Sequence, residues 1–310
     1  MTHAPRIAVV GSCNADIVAF VERAPERGET VAGLRSATGP GGKGANQAIA
    51  AARLGAVVGF VGAVGADAMG DLMRAALVGS GVDVTQLRTT ADATGSAHIV
   101  VEAGGANRIV VVPGANGSLE ALTPADRRLV AESDLLLVQL ELPLEVVVEA
   151  CLAARAAGTR VLLTPAPVRA LPGELLAAVD VLVPNEHEAL QIAGAGEVEE
   201  AIAALSALVP DVVVTLGERG GVHAGPGGER DVFGTPAVEA VDTTAAGDTF
   251  VGSLALALGE GRAWSHALER AAAAAAISVS RADRHGRRSA RAARKGRETP
   301  LPGGCRRRRP

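Results

Sequence analysis

A chain of 310 residues, 48% hydrophobic and 21% charged, can bury a large core and reads as a soluble globular protein. Aromatic residues make up 2%, with no tyrosine, one tryptophan (Trp264) and four phenylalanines, so Val, Leu, Ile and Ala must fill the core and a base-stacking surface for nucleic acid is argued against. The net charge of −4 is uneven: residues 281–310 carry 12 Lys+Arg and 2 Asp+Glu (+10), and the first 280 carry 18 and 32 (−14).

The strand-like run RIAVVG at 6–11 follows the N-terminus directly, so no signal peptide is expected. No apolar run is long enough to suggest a membrane span. Three widely spaced cysteines (13, 151 and 305), odd in number and without metal-ligand spacing, point to a reduced, cytoplasmic protein. Strands are expected at 6–12, 57–64, 134–140, 159–164, 179–183 and 211–216. Helices are expected at 43–54, 68–79, 143–157, 185–193, 197–208, 246–258 and 262–280. Buried strands separated by helices predict right-handed βαβ units: an α/β fold with a mainly parallel central sheet flanked by helices on both faces.

Two regions break the alternation. Residues 28–38 follow Pro25 and Gly28 and lack helical periodicity. Residues 94–112 read as two strands, 95–102 and 108–112, around a turn at 103–106. They fit either a small antiparallel sheet outside the main one or an antiparallel edge of the main sheet.

The segment GPGGKGANQ at 39–47 contains Lys43, the only lysine before residue 295. A phosphate-binding P-loop, G-x-x-x-x-G-K-[ST], would need glycine at 37 and a hydroxyl residue at 44, but the chain has Ala37 and Gly44. A dinucleotide fingerprint fails as well, since GSCNAD at 11–16 lacks the second and third glycines. What remains is a flexible Gly41–Gly42 pair opening a helix, with Lys43 and Asn46 on one face of its first turn. Asn14 and Asp16 follow the first strand, where α/β sheets bind ligands. Ammonium, amide and carboxylate together suit a polyhydroxylated ligand, although each alone is an ordinary cap or turn residue.

Further on, VDTTAAGDTF at 241–250 places small residues before a helix, a pattern that leaves N–H groups free for an anion. Asp248 in the first turn fits a helix cap, or a base that takes a proton from an attacking hydroxyl.

Together, GGKGANQA at 41–48 and DTTAAGDTF at 242–250 resemble the two signatures of the ribokinase-like (PfkB) sugar kinases. NAD at 14–16, QLE at 139–141, PNEHE at 184–188 and TLGERG at 215–220 occur in that family's order, so the likeness runs from the first strand to about Arg281. The resemblance implies a kinase domain over 1–281, a small β-sheet lid (segments about 14–41 and 94–112), and ATP-dependent phosphorylation of ribose at its 5-hydroxyl. It implies Asn14, Asp16, Gly42, Lys43, Asn46 and Glu141 as sugar ligands, and Asp248 as the base, itself touching the sugar. Ala245, Ala246 and Gly247 are implied as the anion hole for the transferring phosphoryl group. Asn185 and Glu188 would organise phosphate and Mg²⁺ through water, and Thr215, Gly217, Gly220 and Gly247 would line the nucleotide site. Asp242 and Thr244, with a C-terminal loop, would hold a monovalent cation, typically K⁺, and a homodimer would form through the lid. A related kinase for another sugar or a nucleoside, or a catalytically weakened sugar-binding protein, are the alternatives.

Residues 282–310 depart from the family pattern. Their charge and lack of apolar periodicity predict a disordered tail. It reads as a solvated tail, as an arm for nucleic acid or an anionic surface, or as a reading-frame change near codon 282. The third is favoured, because shifted GC-rich codons give Arg, Ala, Gly and Pro. It predicts a family-like ending in another frame, and a protein of reduced stability and activity with an altered K⁺ loop.

Overall fold

The computed structural model describes residues 4–104, 106–239 and 243–280. Asp242 and the basic 282–310 segment lie outside the described residues, so the expectations attached to them stop there. With elements numbered along the chain, nine strands among the described residues form the main sheet. Their spatial order is β5 (Asp83–Thr90), β4 (Val57–Gly65), β1 (Arg6–Val10), β8 (Leu135–Val138), β9 (Arg160–Leu163), β10 (Val181–Leu182), β11 (Asp211–Thr215), β12 (Gly221–Ala224) and β13 (Arg230–Phe233). The first seven pair in parallel, and β12 and β13 add an antiparallel edge.

Ile7 and Val9 of β1 face one layer of helices, Ala8 and Val10 face the other, and all four are fully buried. A strand covered on both faces reads as an uninterrupted apolar run. The first layer holds α1 (Lys43–Arg53), α2 (Ala68–Val78), α8 (Ala246–Gly259) and α9 (Trp264–Ser280). The second holds α3 (Pro124–Ala131), α4 (Leu144–Ala157), α5 (Gly173–Ala178), α6 (Glu186–Ala193) and α7 (Val198–Ser206). Side chains such as Leu136, Leu137, Leu162 and Leu163 lose all exposure. Burial contributes about 1.5–3 kcal/mol for each such side chain.

Helix α8 is enclosed on all sides, with every residue from Phe250 to Leu258 buried, so its sequence is apolar around the whole circumference. At Gly252 a Cβ would lie 2.8 Å from the carbonyl oxygen of Gln47 and 2.9 Å from Ala50 Cβ. Only glycine therefore allows α1 and α8 to approach this closely.

The strands expected within 94–112 belong to a separate four-stranded sheet, ordered β3 (Arg35–Gly41), β2 (Asn14–Val21), β6 (Gly95–Glu102) and β7 (Asn107–Val112). This decides between the two alternatives, with one correction: β6 pairs antiparallel with β7 but parallel with β2, so the small sheet is mixed. The antiparallel edge of the main sheet comes from β12 and β13 instead. Thr94 anchors β6 to the main body: its hydroxyl accepts from Gly65 N at 2.9 Å, and its N–H donates to Asp67 at 2.8 Å.

No helix among the described residues is long and apolar enough to cross a membrane. Cys13 and Cys151 are buried free thiols; burial pushes Cys151 up to about 12 and raises Cys13 further, so neither behaves as a reactive thiolate.

Candidate active site

The glycine cluster at 41–44 is a packing requirement more than a flexible joint. A Cβ on Gly44 would stand 2.5 Å from Ser12 N, and one on Gly42 would stand 2.8 Å from Asn14 N. Gly42 also has φ 88°, a left-handed conformation that favours glycine. The first turn of α1 therefore lies directly on the loop leaving β1. There Glu141, just beyond β8, accepts from the Lys43 backbone N–H at 2.9 Å and from the Ser12 hydroxyl. Asn14, the first residue of β2, is buried, and its Oδ1 accepts from Asn116 Nδ2 at 2.8 Å. Asp16 is buried two residues along, against Gly41, where a Cβ would collide with its carboxylate. Asn14, Asp16, Gly42, Lys43 and Glu141 thus share one patch where the small sheet meets the main body.

Asn46 and its neighbour Gln47 extend that patch to α8. Asn46 Nδ2 donates to Asp248 Oδ2 at 3.1 Å, and Gln47 Nε2 donates to Asp248 Oδ1 at 3.1 Å. Burial raises the Asp248 carboxyl above its ordinary range; Lys43 and the Gln47 and Asn46 donors pull it down, Glu141 pushes it up, and the net shift is upward. Burial by itself would lower the Lys43 ammonium, but the carboxylates of Asp248, Glu141 and Glu188 outweigh it and hold Lys43 above its ordinary value. A base more strongly basic than usual, beside a charged ammonium, suits removal of a proton from a hydroxyl group.

The chain enters α8 through Ala245, which has φ 59° and is the only non-glycine residue with positive φ among the described residues. Such a conformation costs on the order of 1–3 kcal/mol and is characteristic of functional turns. It points the start of α8 past Gly247, where a Cβ would meet nothing within 4 Å. The N–H groups of Gly247 and Asp248 belong to the first helical turn and have no intrahelical acceptor. Of the expected trio, Ala246 N–H bonds Thr243 O at 3.3 Å, and Gly247 has open space where a side chain would stand.

Asn185, Glu188, Thr215, Gly217 and Gly220 form a second group at the ends of β10 and β11. Asn185 and Thr215 are bridged, and Thr215 N donates to Pro184 O at 3.1 Å. Asn185 and Glu188 also form a reciprocal cap on α6, at 2.8 and 2.9 Å. Gly217 has open space beside it, whereas a Cβ on Gly220 would stand 1.9 Å from Phe233 O, so Gly220 is required by packing. Thr244 lies exposed in the turn before α8. Among the described residues no group of three or more His, Cys, Asp or Glu side chains is arranged to hold a metal ion. A surface groove of about 620 Å³ lined by Leu144, Val148, Leu152 and Pro172 lies on the other helical layer and contains none of the candidate residues.

Ser12, Gln47, Asn116 and Gln139 were not singled out from sequence, and each bonds a candidate residue or the partner of one. For Gln47 the available signal was a polar residue amid the alanines of α1.

A model described as pfkB family carbohydrate kinase matches residues 4–285. The chain is 41% identical over 283 residues to the ribokinase of Haemophilus influenzae, covering 89% of this chain and 92% of that one. It is also 41% identical over 278 residues to the ribokinase of Bacillus subtilis, covering 88% and 92%. The structure of Arabidopsis thaliana ribokinase complexed with ribose and ATP matches with a TM-score of 0.84 at 36% identity, covering 89% of this chain and 93% of that one. Motif order, fold and overall similarity agree: the chain belongs to the pfkB family of carbohydrate kinases.

Proposed function

We propose that the protein transfers the γ-phosphoryl group of ATP to the 5-hydroxyl of D-ribose, giving ribose 5-phosphate and ADP. The observation that carries this reading is Asp248: a buried carboxylate in the first turn of α8, oriented by two amides and next to open N–H groups. The relatives of similar length are ribokinases, and the structural relative binds ribose and ATP.

In this reading Asn14, Asp16, Gly42, Lys43, Asn46 and Glu141 hold the sugar hydroxyls. Asp248 takes the proton as the 5-oxygen attacks the γ-phosphorus and the bond to ADP breaks. Gly247, with the turn formed by Ala245 and Ala246, receives the charge on the transferring group. Phosphoryl transfer depends mostly on positioning and charge stabilisation, so backbone donors and Lys43 supply much of what the reaction needs. Asn185, Thr215, Gly217 and Gly220 border the nucleotide.

Mg²⁺ keeps several waters and leans on substrate phosphates with one or two carboxylates, so it needs no all-protein cage. Glu188 fits that role: it is partly exposed and close enough to raise the Lys43 pKa. Bound there, Mg²⁺ would neutralise phosphate charge. A K⁺ ion at Asp242 and Thr244, a cytoplasmic location, and a homodimer through the exposed Ile109–Val112 edge of β7 belong to the same reading.

An ADP-release assay over pentoses, hexoses and nucleosides, with and without K⁺, tests it. Ribose is expected to be the best acceptor, with K⁺ stimulating turnover. A faster nucleoside would make it a nucleoside kinase. Ribose binding in calorimetry without turnover on any acceptor would make it a sugar-binding protein.

A further inference from the structure

Gln47 is a fully buried glutamine whose side-chain bonds all go to buried or half-buried partners. Its Oε1 accepts from Gln139 Nε2 at 2.6 Å, and its Nε2 donates to both Thr164 Oγ1 and Asp248 Oδ1, each at 3.1 Å. The two N–H bonds of the amide are thus both used, and its orientation is fixed. Rotating the amide by half a turn would set its oxygen against the Asp248 carboxylate and its nitrogen against the Gln139 nitrogen. Gln139 is nearly fully buried, and among the described residues its Oε1 meets no donor. An apolar residue at 139 would avoid leaving that buried acceptor unsatisfied. The amide is accounted for by the one bond it does make, to Gln47.

We infer that Gln47, locked by Gln139 and Thr164, is a positioning residue that fixes the rotamer of the Asp248 carboxylate and leaves a lone pair on Oδ2 and on Oδ1 for the sugar hydroxyl. Asn46 occupies one site on Oδ2 and Gln47 one on Oδ1, and a carboxylate has about four acceptor sites in all. Lys43 on α1 and Glu141 beyond β8 are the charged groups that also act on Asp248. The inference rests on Asp248 being the base of the proposed reaction.

The test compares Gln47→Met and Gln139→Met with the wild-type chain in kcat and KM across pH. Losing one hydrogen bond to a charged group predicts a fall in kcat on the order of 10–100-fold for Gln47→Met, with sugar KM little changed. The acid limb of the kcat profile should move to higher pH, because a donor that favours the charged carboxylate is gone. Gln139→Met, which leaves Gln47 in place but frees its amide, should move both quantities the same way by less. If Gln47→Met does not fold, Gln139→Met and Thr164→Val carry the test. An unmoved acid limb in the variants that fold, or a raised KM at unchanged kcat, overturns the inference. A carboxyl ¹³C titration assigned with Asp248→Asn reads the Asp248 shift without turnover. An inactive wild-type chain would therefore count against the proposed reaction, and an unshifted Asp248 against Gln47.

Discussion

Asn46 and Asp248, 202 positions apart in the chain, are joined by an amide-to-carboxylate hydrogen bond of 3.1 Å. The bond links α1, which starts at the patch of Asn14, Asp16, Lys43 and Glu141, to α8, whose first turn follows the strained Ala245. In the proposed reaction, acceptor and donor halves of the site would meet at this single carboxylate.

Asp248→Asn removes the proton acceptor and keeps the shape. Phosphorylation should fall by at least on the order of 10²–10⁴-fold, the usual share of general-base catalysis. Sugar affinity, measured by calorimetry, should be largely retained. Turnover near the wild-type level would remove Asp248 from the role of base.

The raised Asp248 pKa gives a pH dependence. An ordinary aspartate titrates at about 3.9, so the acid limb of kcat should be centred above that value. For stability the sign is reversed. The folded state holds this proton more tightly than the unfolded chain, so the contribution is present below the unfolded pKa and is lost as pH rises through the raised folded value. A titration of activity alongside urea unfolding at several pH values reads both.

Gly252→Val would push a branched side chain into the backbone of α1, where even one Cβ stands 2.8 Å from Gln47 O. Overpacking of this kind costs about 1–3 kcal/mol. The same push should separate Asn46 and Gln47 from Asp248, so kcat should fall along with melting temperature. A variant with lower stability and wild-type kcat would show that the helix contact does not set the site.

His223 is fully buried, stacked on Trp264 with ring centroids 3.8 Å apart, and bonded through its two ring nitrogens to Asp211 (2.8 Å) and Asp231 (3.1 Å). His223→Leu leaves Asp211 with Arg160 alone. Leaving a mostly buried acceptor without its hydrogen-bond partner costs on the order of 1–3 kcal/mol. Asp211 starts β11 and Thr215 ends it, so kcat of the folded fraction should change little. Emission from Trp264, the only tryptophan, reads the urea transition directly.

The central strands were legible because burial on both faces makes them continuous apolar runs. β5, half-exposed along its length with only Leu87 buried, was missed. So were β12 and β13, four residues each, and α3 and α5, eight and six residues long. GVHA and RDVF lack the continuous apolar run that marks the equally short β8 and β9. Asn46 and Asp248 were legible through family-like motifs. Gln47 and Gln139 fall within the same motifs and Ser12 beside one, but their roles were not legible, because these depend on partners 201, 92 and 129 positions away. The glycines at 41 and 42 were read as flexibility, and only the structure reveals the neighbours that fill the place of their missing side chains.

The close contact of α1 and α8 at Gly252 divides labour within the kinase. Asn46, Gln47 and Asp248 lie on the two helices that meet there, whereas Asp16 belongs to the smaller sheet. If the smaller sheet closes over the sugar in the proposed reaction, its movement would change how long the acceptor stays and how much water reaches the phosphate, without breaking the bonds between α1 and Asp248. Substitutions in the smaller sheet should tune residence time and wasteful ATP hydrolysis, while the amide bonds that orient Asp248 stay in place.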